Sequence, residues 1–428
     1  MLFNAGQILA VPLLFWKKWR RFKARGDAYE WDLARWNAPK FDAGLDNGQV
    51  HLVLVAMGFA ETRLAARLTA LLGEQRPDLR VTWAIRNADA AREGGAIPAN
   101  QPVVPLPFDF FWPVRRWIRA LKPDAVIFIE RFAFPNLARG LHNRGARVGA
   151  VAARTRDAKK NGFYGRWLLG AFDGIALRSE AERAKFGALG SDAAKFQVTG
   201  TLKFWPELPP LPDAQKQELK DWLQNENDAR PILAAGSTQP GDEAWILEAF
   251  GPLRKKFGAR LLLAPRHVAR ADEVEALARN HGFSVSRRSN EKGNCAADVL
   301  LLDTLGELAH AYGAARAAFV GGTISGTGHN VLEPIAHGIP VFFGPKPGTF
   351  AAEQEMCLDA GVGFRVTAPD ELRRGWQNVL ENEARRAEIA ENAAKLNAQG
   401  ELAWRATVAA ILQILPAPRA ESRANRSQ

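Results

Sequence analysis

A glycine-rich segment with a polar tip, residues 321–334, lies between an apolar run and a helical pattern in the last third of the chain. Glycines let backbone N–H groups approach a phosphate closely, and a helix N-terminus adds partial positive charge. Glu333, in the first turn of the predicted helix, is suited to accept hydrogen bonds from a ribose diol. The segment is consistent with a nucleotide site and, equally, with an ordinary strand-to-helix turn in which Asn330 is the N-cap.

Three further polar turns follow predicted strands in the same half of the chain. They contain Ser237 and Thr238; Pro265, Arg266 and His267; and Leu305, Gly306 and Glu307. Because parallel strands end at one edge of a sheet, these turns and the glycine-rich segment should lie together. Arg266 can pair with a phosphate through two N–H groups, and the two hydroxyls can donate hydrogen bonds. Four converging polar loops favour a binding site over four unrelated turns.

The elements that must position these loops alternate between short apolar strands and helical patterns. This alternation runs through both halves and predicts an α/β fold with two doubly wound, Rossmann-like domains that face a cleft. A proline-rich stretch, residues 205–212, interrupts the pattern between the halves. The predicted organisation is a first domain at 48–204, a linker at 205–230, a second domain at 231–400, a closing helix at 401–415 and a disordered tail at 416–428.

Composition narrows the class of protein. With 428 residues, 47% hydrophobic and 24% charged, the chain is long enough for two or three globular domains. Two cysteines, Cys295 and Cys357, supply no disulfide framework, so a reducing compartment is the simpler inference. The histidines show no zinc-ligand spacing, and no structural metal is expected.

The net charge of +11 is concentrated near the N-terminus. Residues 17–25 carry six basic side chains interleaved with aromatic ones, directly after a mostly apolar stretch that is too short to span a bilayer. This order predicts a shallow membrane anchor at residues 1–26, with the globular part on the cytoplasmic side. The alternative is an amphipathic surface helix. Nucleic-acid binding ranks last, because no nucleic-acid-binding motif is evident.

Four motifs together resemble the Kdo transferases, which move 3-deoxy-D-manno-octulosonic acid from a CMP donor to lipid A precursors. The family's VTGNLKF is similar to residues 198–204 (VTGTLKF), and its proline-arginine-histidine turn is present at 265–267. Its DTMGEL segment is similar to 303–308 (DTLGEL), and its GGS and GHNPLEP pieces are similar to 321–323 (GGT) and 328–334 (GHNVLEP). The similarity extends over about residues 52–366 and is closer in the second half.

The resemblance implies a GT-B fold, a metal-independent inverting transfer with no cofactor, and a CMP site in the second domain. The nucleotide contacts would be Pro265, Arg266, Leu305, Gly306, Glu307, Asn330, Val331, Leu332 and Glu333, with His267, Gly322 and Thr323 in the same motifs. Lys203 would stabilise the departing CMP phosphate, a step that needs fixed positive charge.

The motifs expected for the acceptor site differ more from the family pattern than the donor motifs do. An acceptor hydroxyl needs a base, and Glu61, at the head of a predicted helix after the first strand, is the candidate; its alternative role is helix capping. The family's SVGE reads GFAE at residues 58–61, and its ETELWPN reads ERFAFPN at 130–136. Glu130 keeps the first acidic position, whereas Phe132 replaces the second; pairing with Arg131 is the alternative for Glu130.

The predicted function is therefore Kdo transfer from CMP-Kdo to a lipid A type acceptor at the cytoplasmic face of the inner membrane. Arg154, Arg156, Lys159 and Lys160 are expected to attract acceptor phosphates or to form a solvated face. Two other functions stay open: a transferase or epimerase that uses a UDP sugar, and a non-catalytic membrane adaptor.

Overall fold

The computed structural model divides the chain into two compact units. Unit 1 comprises Met1–Leu202 and Leu402–Gln428, and unit 2 comprises Lys203–Glu401. The structure describes residues 34–39, 48–86, 97–98, 100–153, 162–189, 192–204, 211–223, 230–290 and 296–419. The predicted anchor at 1–26, most of the proline-rich stretch, the four basic residues at 154–160 and the tail from 420 lie outside the described residues.

Unit 1 contains a seven-stranded sheet in its described part, and every strand pairing is parallel. The strands are β1 (Val50–Ala56), β2 (Leu79–Ile85), β3 (Val103–Pro105), β4 (Ala125–Ile129), β5 (Arg147–Ala153), β6 (Gly174–Leu177) and β7 (Phe196–Val198), in the spatial order β3-β2-β1-β4-β5-β6-β7. The central strands β1 and β4 are buried along their whole length, which explains why all their residues except His51 are apolar. The strand order reverses between β1 and β4, the point where such sheets bind ligands.

The helices of unit 1 lie between these strands. They are α1 (Phe59–Gln75), α2 (Phe111–Leu121), α3 (Pro135–His142), α4 (Gly162–Leu169) and α5 (Glu180–Gly187). Strands and helices share one apolar core that includes Phe128, Trp117 and Phe172. Alternation of this kind with parallel pairing confirms the doubly wound fold predicted for the first half.

Unit 2 repeats the plan with a second, all-parallel seven-stranded sheet in its described part. Its strands are β8 (Ile232–Thr238), β9 (Arg260–Pro265), β10 (Val285–Arg287), β11 (Val299–Leu301), β12 (Ala315–Val320), β13 (Val341–Phe343) and β14 (Gly363–Arg365), in the order β10-β11-β9-β8-β12-β13-β14. The order reverses between β8 and β12, which places the loops after these two strands at the switch point.

The helices of unit 2 are α6 (Asp213–Leu223), α7 (Asp242–Phe257), α8 (Ala271–Asn280), α9 (Leu308–Ala311), α10 (Leu332–Ile335), α11 (Ala351–Asp359), α12 (Pro369–Glu381) and α13 (Glu383–Ile414). Two of them, α9 and α10, consist of a single turn. Helix α13 begins well before the expected closing helix at 401 and contributes its last part to unit 1. There Ile414 fills the space beside Gly149 and Gly174, where a Cβ would be within 3 Å of its side chain. No helix within the described residues is long and apolar enough to cross a membrane.

Candidate nucleotide and acceptor sites

A buried carboxylate joins the two loops at the switch point of unit 2. Asp242, the first residue of α7, is 1% exposed, and its Oδ2 accepts hydrogen bonds from the backbone N–H of Gln239 (2.8 Å) and of Gly322 (2.6 Å). Burial raises the pKa of this carboxyl, and the two N–H donors oppose that rise. The loops after β8 and β12 are thereby held together by one side chain that the sequence analysis did not select.

Arg266 and His267 lie beside these loops. The backbone N–H of Arg266 donates to the Thr238 carbonyl (2.9 Å), and the side chains of Arg266 and His267 are exposed. The pKa of His329 is lowered to about 4, first by burial and then by the charges of Arg266 and His267. Among the described residues no carboxylate forms an ion pair with Arg266 or His267. The cluster therefore offers positive charge to an incoming anion.

Several predicted ligands of unit 2 make hydrogen bonds within the protein. Thr238 is fully buried and donates to Glu243 Oε1 (2.9 Å). Thr323, also fully buried, donates to the Val320 carbonyl (2.7 Å) and accepts from the Gly344 N–H (2.8 Å). These hydroxyls hold the loops in place in this structure, and their contact with a nucleotide stays a prediction.

Glu307 has a similar supporting role in the loop after β11. Its side chain is 1% exposed, accepts a hydrogen bond from the Arg288 guanidinium (3.0 Å) and accepts another from the Thr304 hydroxyl. This anchored carboxylate presents Leu305, which is 71% exposed, and Gly306, whose φ of 88° gives the sharp turn. The loop is rigid at its base and accessible at its tip.

The glycines of residues 321–334 stabilise the conformation of their own loop, because their N–H groups donate hydrogen bonds within the protein. The N–H of Gly322 donates to Asp242, and those of Gly326 and Gly328 donate to the Gly322 carbonyl (3.0 and 2.8 Å). Gly328 has a φ of 64°, and a Cβ there would overlap the carbonyl of Pro347, so only glycine fits. The expectation that these glycine N–H groups face a phosphate is not met.

The helix after this loop, α10, is short. It is a single turn, so its dipole supplies less positive charge than a full helix would. Asn330 Oδ1 accepts from the Leu332 N–H (3.2 Å), although the N-cap position itself is Val331. Val331 and Leu332 are buried, whereas Glu333 is half-buried beside Tyr312, whose pKa it raises in addition to the larger effect of burial.

Ser237 and Pro265 lie at the ends of β8 and β9. Ser237 is half-buried with a left-handed φ of 56°, unusual for a residue with a side chain, and Pro265 is buried as the last residue of its strand. A strained conformation at the end of a strand is common at functional sites. Both residues therefore lie at the edge predicted for the nucleotide.

Lys203 makes an ion pair that the sequence analysis did not foresee. Its Nζ lies 3.2 Å from Glu353 Oε1 and 3.9 Å from the centroid of the Phe350 ring. Glu353, in the first turn of α11, is 1% exposed, and the Lys203 side chain is 13% exposed. The lysine is thus held in position by a buried carboxylate and an aromatic ring.

The two acidic candidates of unit 1 lie at the carboxyl ends of neighbouring strands. Glu61 is half-buried in the first turn of α1, and a Cβ on Gly58 would be 3.3 Å from its Oε2. Glu130 follows β4 with a left-handed φ of 59°, and its N–H donates to the Val151 carbonyl (2.9 Å). Because β1 and β4 flank the switch point of this sheet, both carboxylates lie where an acceptor is expected to bind.

The phenylalanines that depart from the acceptor motif belong to the core. Phe132 is fully buried and contacts Phe172 edge to face, with ring centroids 5.5 Å apart. Phe134 stacks on Phe128 at 5.9 Å. The changed positions therefore add apolar packing beneath Glu130, and a carboxylate at 132 would be buried among aromatic rings.

Comparisons with known proteins show which family this chain resembles. A family model described as 3-Deoxy-D-manno-octulosonic-acid transferase (kdotransferase) matches residues 33–205. A 3-deoxy-D-manno-octulosonic acid transferase of Bordetella pertussis is 31% identical over 424 residues, which cover 94% of this chain and 96% of that protein. One of Aquifex aeolicus is 33% identical over 270 residues, covering 63% of this chain and 69% of that protein.

Solved structures show the fold at lower identity. A UDP-GlcNAc 2-epimerase from Neisseria meningitidis has a TM-score of 0.61 at 13% identity and covers 85% of this chain and 100% of that chain. A glycosyltransferase from Rickettsia africae has a TM-score of 0.59 at 12% identity and covers 86% and 98%. The relatives, with one similar along nearly its whole length, establish that this chain belongs to the 3-deoxy-D-manno-octulosonic acid transferase family of glycosyltransferases.

Proposed function

We propose that this chain transfers Kdo from CMP-Kdo to a lipid A precursor in lipopolysaccharide biosynthesis, with inversion at the transferred sugar. The proposal is carried by one observation. Arg266 and His267 follow β9, next to the two switch-point loops that Asp242 holds together, and no described carboxylate forms an ion pair with them. This arrangement suits the phosphate of a nucleotide donor, and membership of the family supports CMP-Kdo as that donor.

The residues divide between donor and acceptor. Arg266, His267 and the exposed tip at Leu305 and Gly306 bind the nucleotide, with Glu333 as the ribose ligand. Lys203 stabilises the phosphate as it leaves, because a fixed cation near the developing charge lowers the barrier.

Proton removal is assigned to unit 1. Glu61, half-buried at the head of α1, takes the proton from the acceptor hydroxyl, and Glu130 positions the acceptor or stabilises the transition state. The fold supports this division, since Arg266 and Leu305 follow strands of the second sheet, whereas Glu61 and Glu130 follow the two strands that flank the switch point of the first. No cofactor or metal is assigned a part in the transfer.

The N-terminus is assigned the membrane contact. Residues 1–26 combine an apolar stretch with clustered basic and aromatic side chains, which is typical of a shallow anchor on an anionic surface. The proposed location is the cytoplasmic face of the inner membrane, where a lipid acceptor is available.

Donor binding tests the nucleotide assignment. Calorimetric titration of the full-length protein with CMP should give saturable binding, and UDP should compete weakly. Arg266→Lys keeps the charge but loses the paired N–H groups, so CMP affinity should fall about tenfold. Arg144→Lys, at an exposed position of unit 1, is the matched control. Stronger binding of UDP than of CMP would contradict the assignment and favour a UDP-sugar enzyme.

A further inference from the structure

The outward face of α2 exposes two large aromatic side chains. Phe111 is 47% exposed and Trp112 is 64% exposed, and their rings meet edge to face with centroids 5.2 Å apart. Among the described residues, large apolar side chains this exposed are few: Leu305 and Leu402 are the others. Two adjacent exposed aromatic rings on one helix indicate a contact surface.

The rest of the same face is cationic. Helical spacing places Arg115, Arg116 and Arg119 on the side that carries the aromatic pair, and Arg116 and Arg119 are exposed. The opposite side, which includes Trp117 and Leu121, is buried in the core of unit 1.

Among the described residues, no acidic side chain balances this charge. The sequence of α2 contains no aspartate or glutamate. Within the part of the chain that the structure describes, no carboxylate forms an ion pair with any of the three arginines. The outward face of α2 is therefore aromatic at its start and positively charged along its length.

Hydrogen bonds tie the start of α2 to the acceptor edge of the sheet. Asp109 Oδ1 accepts from the Leu137 N–H (2.8 Å) and its Oδ2 from the Asn136 N–H (3.2 Å), so it caps α3. Helix α3 comes after β4, the strand that Glu130 directly follows. The exposed aromatic pair thus lies at the same sheet edge as the acidic candidates for acceptor chemistry.

We propose that the outward face of α2 docks on an anionic lipid bilayer, with Phe111 and Trp112 among the headgroups and Arg116 and Arg119 against lipid phosphates. Aromatic rings favour the membrane interface, and basic residues near an anionic surface add electrostatic attraction. An acidic protein would satisfy the arginines but gives no comparable reason for the adjacent exposed rings. The inference rests on the proposed function, because docking turns the acceptor edge toward the surface that holds a lipid acceptor.

Vesicle co-sedimentation of the full-length protein tests the proposal. The vesicles are phosphatidylcholine alone, or phosphatidylcholine with phosphatidylglycerol. Residues 1–26 are identical in all variants, so their contribution cancels when partition coefficients are compared. Each arginine near an anionic surface contributes roughly fivefold, so R116Q/R119Q should bind phosphatidylglycerol vesicles about 25-fold more weakly. On phosphatidylcholine alone the same variant should bind as the wild type does.

Matched control variants test whether the loss of vesicle binding is specific to the outward face of α2. R183Q/K185Q removes the same charge from exposed positions on α5, and Leu402→Ser removes an exposed apolar side chain elsewhere in unit 1. Both should bind vesicles as the wild type does, whereas F111S/W112S should bind both vesicle types more weakly. If F111S/W112S fails to fold, R116Q/R119Q decides alone, since both of its positions are solvated.

Two results separate this proposal from the proposed function. Wild-type binding of R116Q/R119Q to anionic vesicles would overturn the docking surface, as would an equal loss in R183Q/K185Q. CMP affinity should be unchanged in R116Q/R119Q. A protein that binds vesicles as described but transfers no sugar would support the docking surface and contradict the proposed function.

Discussion

The ion pair between Lys203 and Glu353 predicts that Lys203→Met destabilises the protein. Glu353 is 1% exposed, and its Oε1 lies 3.2 Å from the lysine Nζ, so the variant leaves a carboxylate buried without that partner. Removing one member of a buried pair costs roughly 3–5 kcal/mol. Because Lys203 itself keeps 13% exposure, we expect a loss at the lower end, about 3 kcal/mol, in the free energy of unfolding.

The double variant Lys203→Met/Glu353→Gln separates stability from catalysis. It removes both charges, so urea unfolding should show most of the stability restored. If Lys203 stabilises the leaving phosphate, the folded double variant should bind CMP but turn over about a hundredfold more slowly. Glu353→Gln alone keeps the lysine and should stay active. Wild-type stability of Lys203→Met would refute the structural reasoning, and wild-type turnover of the double variant would remove Lys203 from the mechanism.

Three further predictions concern single residues of the two sites. Asp242→Ala leaves the N–H groups of Gln239 and Gly322 without their acceptor, at about 1–3 kcal/mol for the buried Gly322 group, whereas Asp242→Asn keeps an acceptor and should cost about 1 kcal/mol. Hydrogen exchange at Gly322 should be faster in the alanine variant, and equal exchange in both variants would contradict the cross-link. Glu61→Gln should abolish turnover and spare CMP binding; unchanged turnover would exclude it as the base. The pKa of His329 should be about 4 without ligand and should rise when CMP binds beside it, as measured by NMR titration. The His329 side chain gains a proton near pH 6.5 in the unfolded chain but only near pH 4 in the folded protein. The free energy of unfolding should therefore decrease as the pH is lowered from about 6.5 to about 4, and the decrease should be smaller in His329→Asn.

The sequence predicted the long inner strands well and the edges of both sheets poorly. Strands β1, β4, β8 and β9 are mostly apolar because helices cover both faces of a parallel sheet. The strands that were not predicted are β3, β7, β10 and β14, which are three residues each and occupy the four sheet edges. Each of these edge strands has only one buried residue, whereas the equally short β11 and β13 are buried throughout and form apolar runs.

In the candidate site, too, some features could be predicted from the sequence and others could not. The loops could be predicted because glycines and polar residues directly follow apolar runs, and the structure places them at the carboxyl edge of one sheet. Which side chains support a loop and which face solvent depends on distant partners. Thr238 pairs with Glu243, and Glu307 pairs with Arg288, through burial that no local pattern encodes.

The contacts of Lys203 and Asp242 also depend on partners that are distant in the sequence. The lysine was predicted from its motif, but its partner Glu353 lies 150 residues further along the chain. Asp242 resembles an ordinary residue in the first turn of a helix, and only the fold brings Gly322 to its carboxylate. Tertiary contacts of this kind require the structure.

Sugar transfer by the purified protein tests the central claim most directly. The full-length protein is incubated with CMP-Kdo and a tetra-acylated lipid A precursor in detergent, and the lipid product is followed by mass spectrometry, with Glu61→Gln as the matched inactive control. The account predicts a product that carries added Kdo, formed by the wild type and not by the variant. A folded wild-type protein that binds CMP but adds no Kdo to the lipid would contradict it.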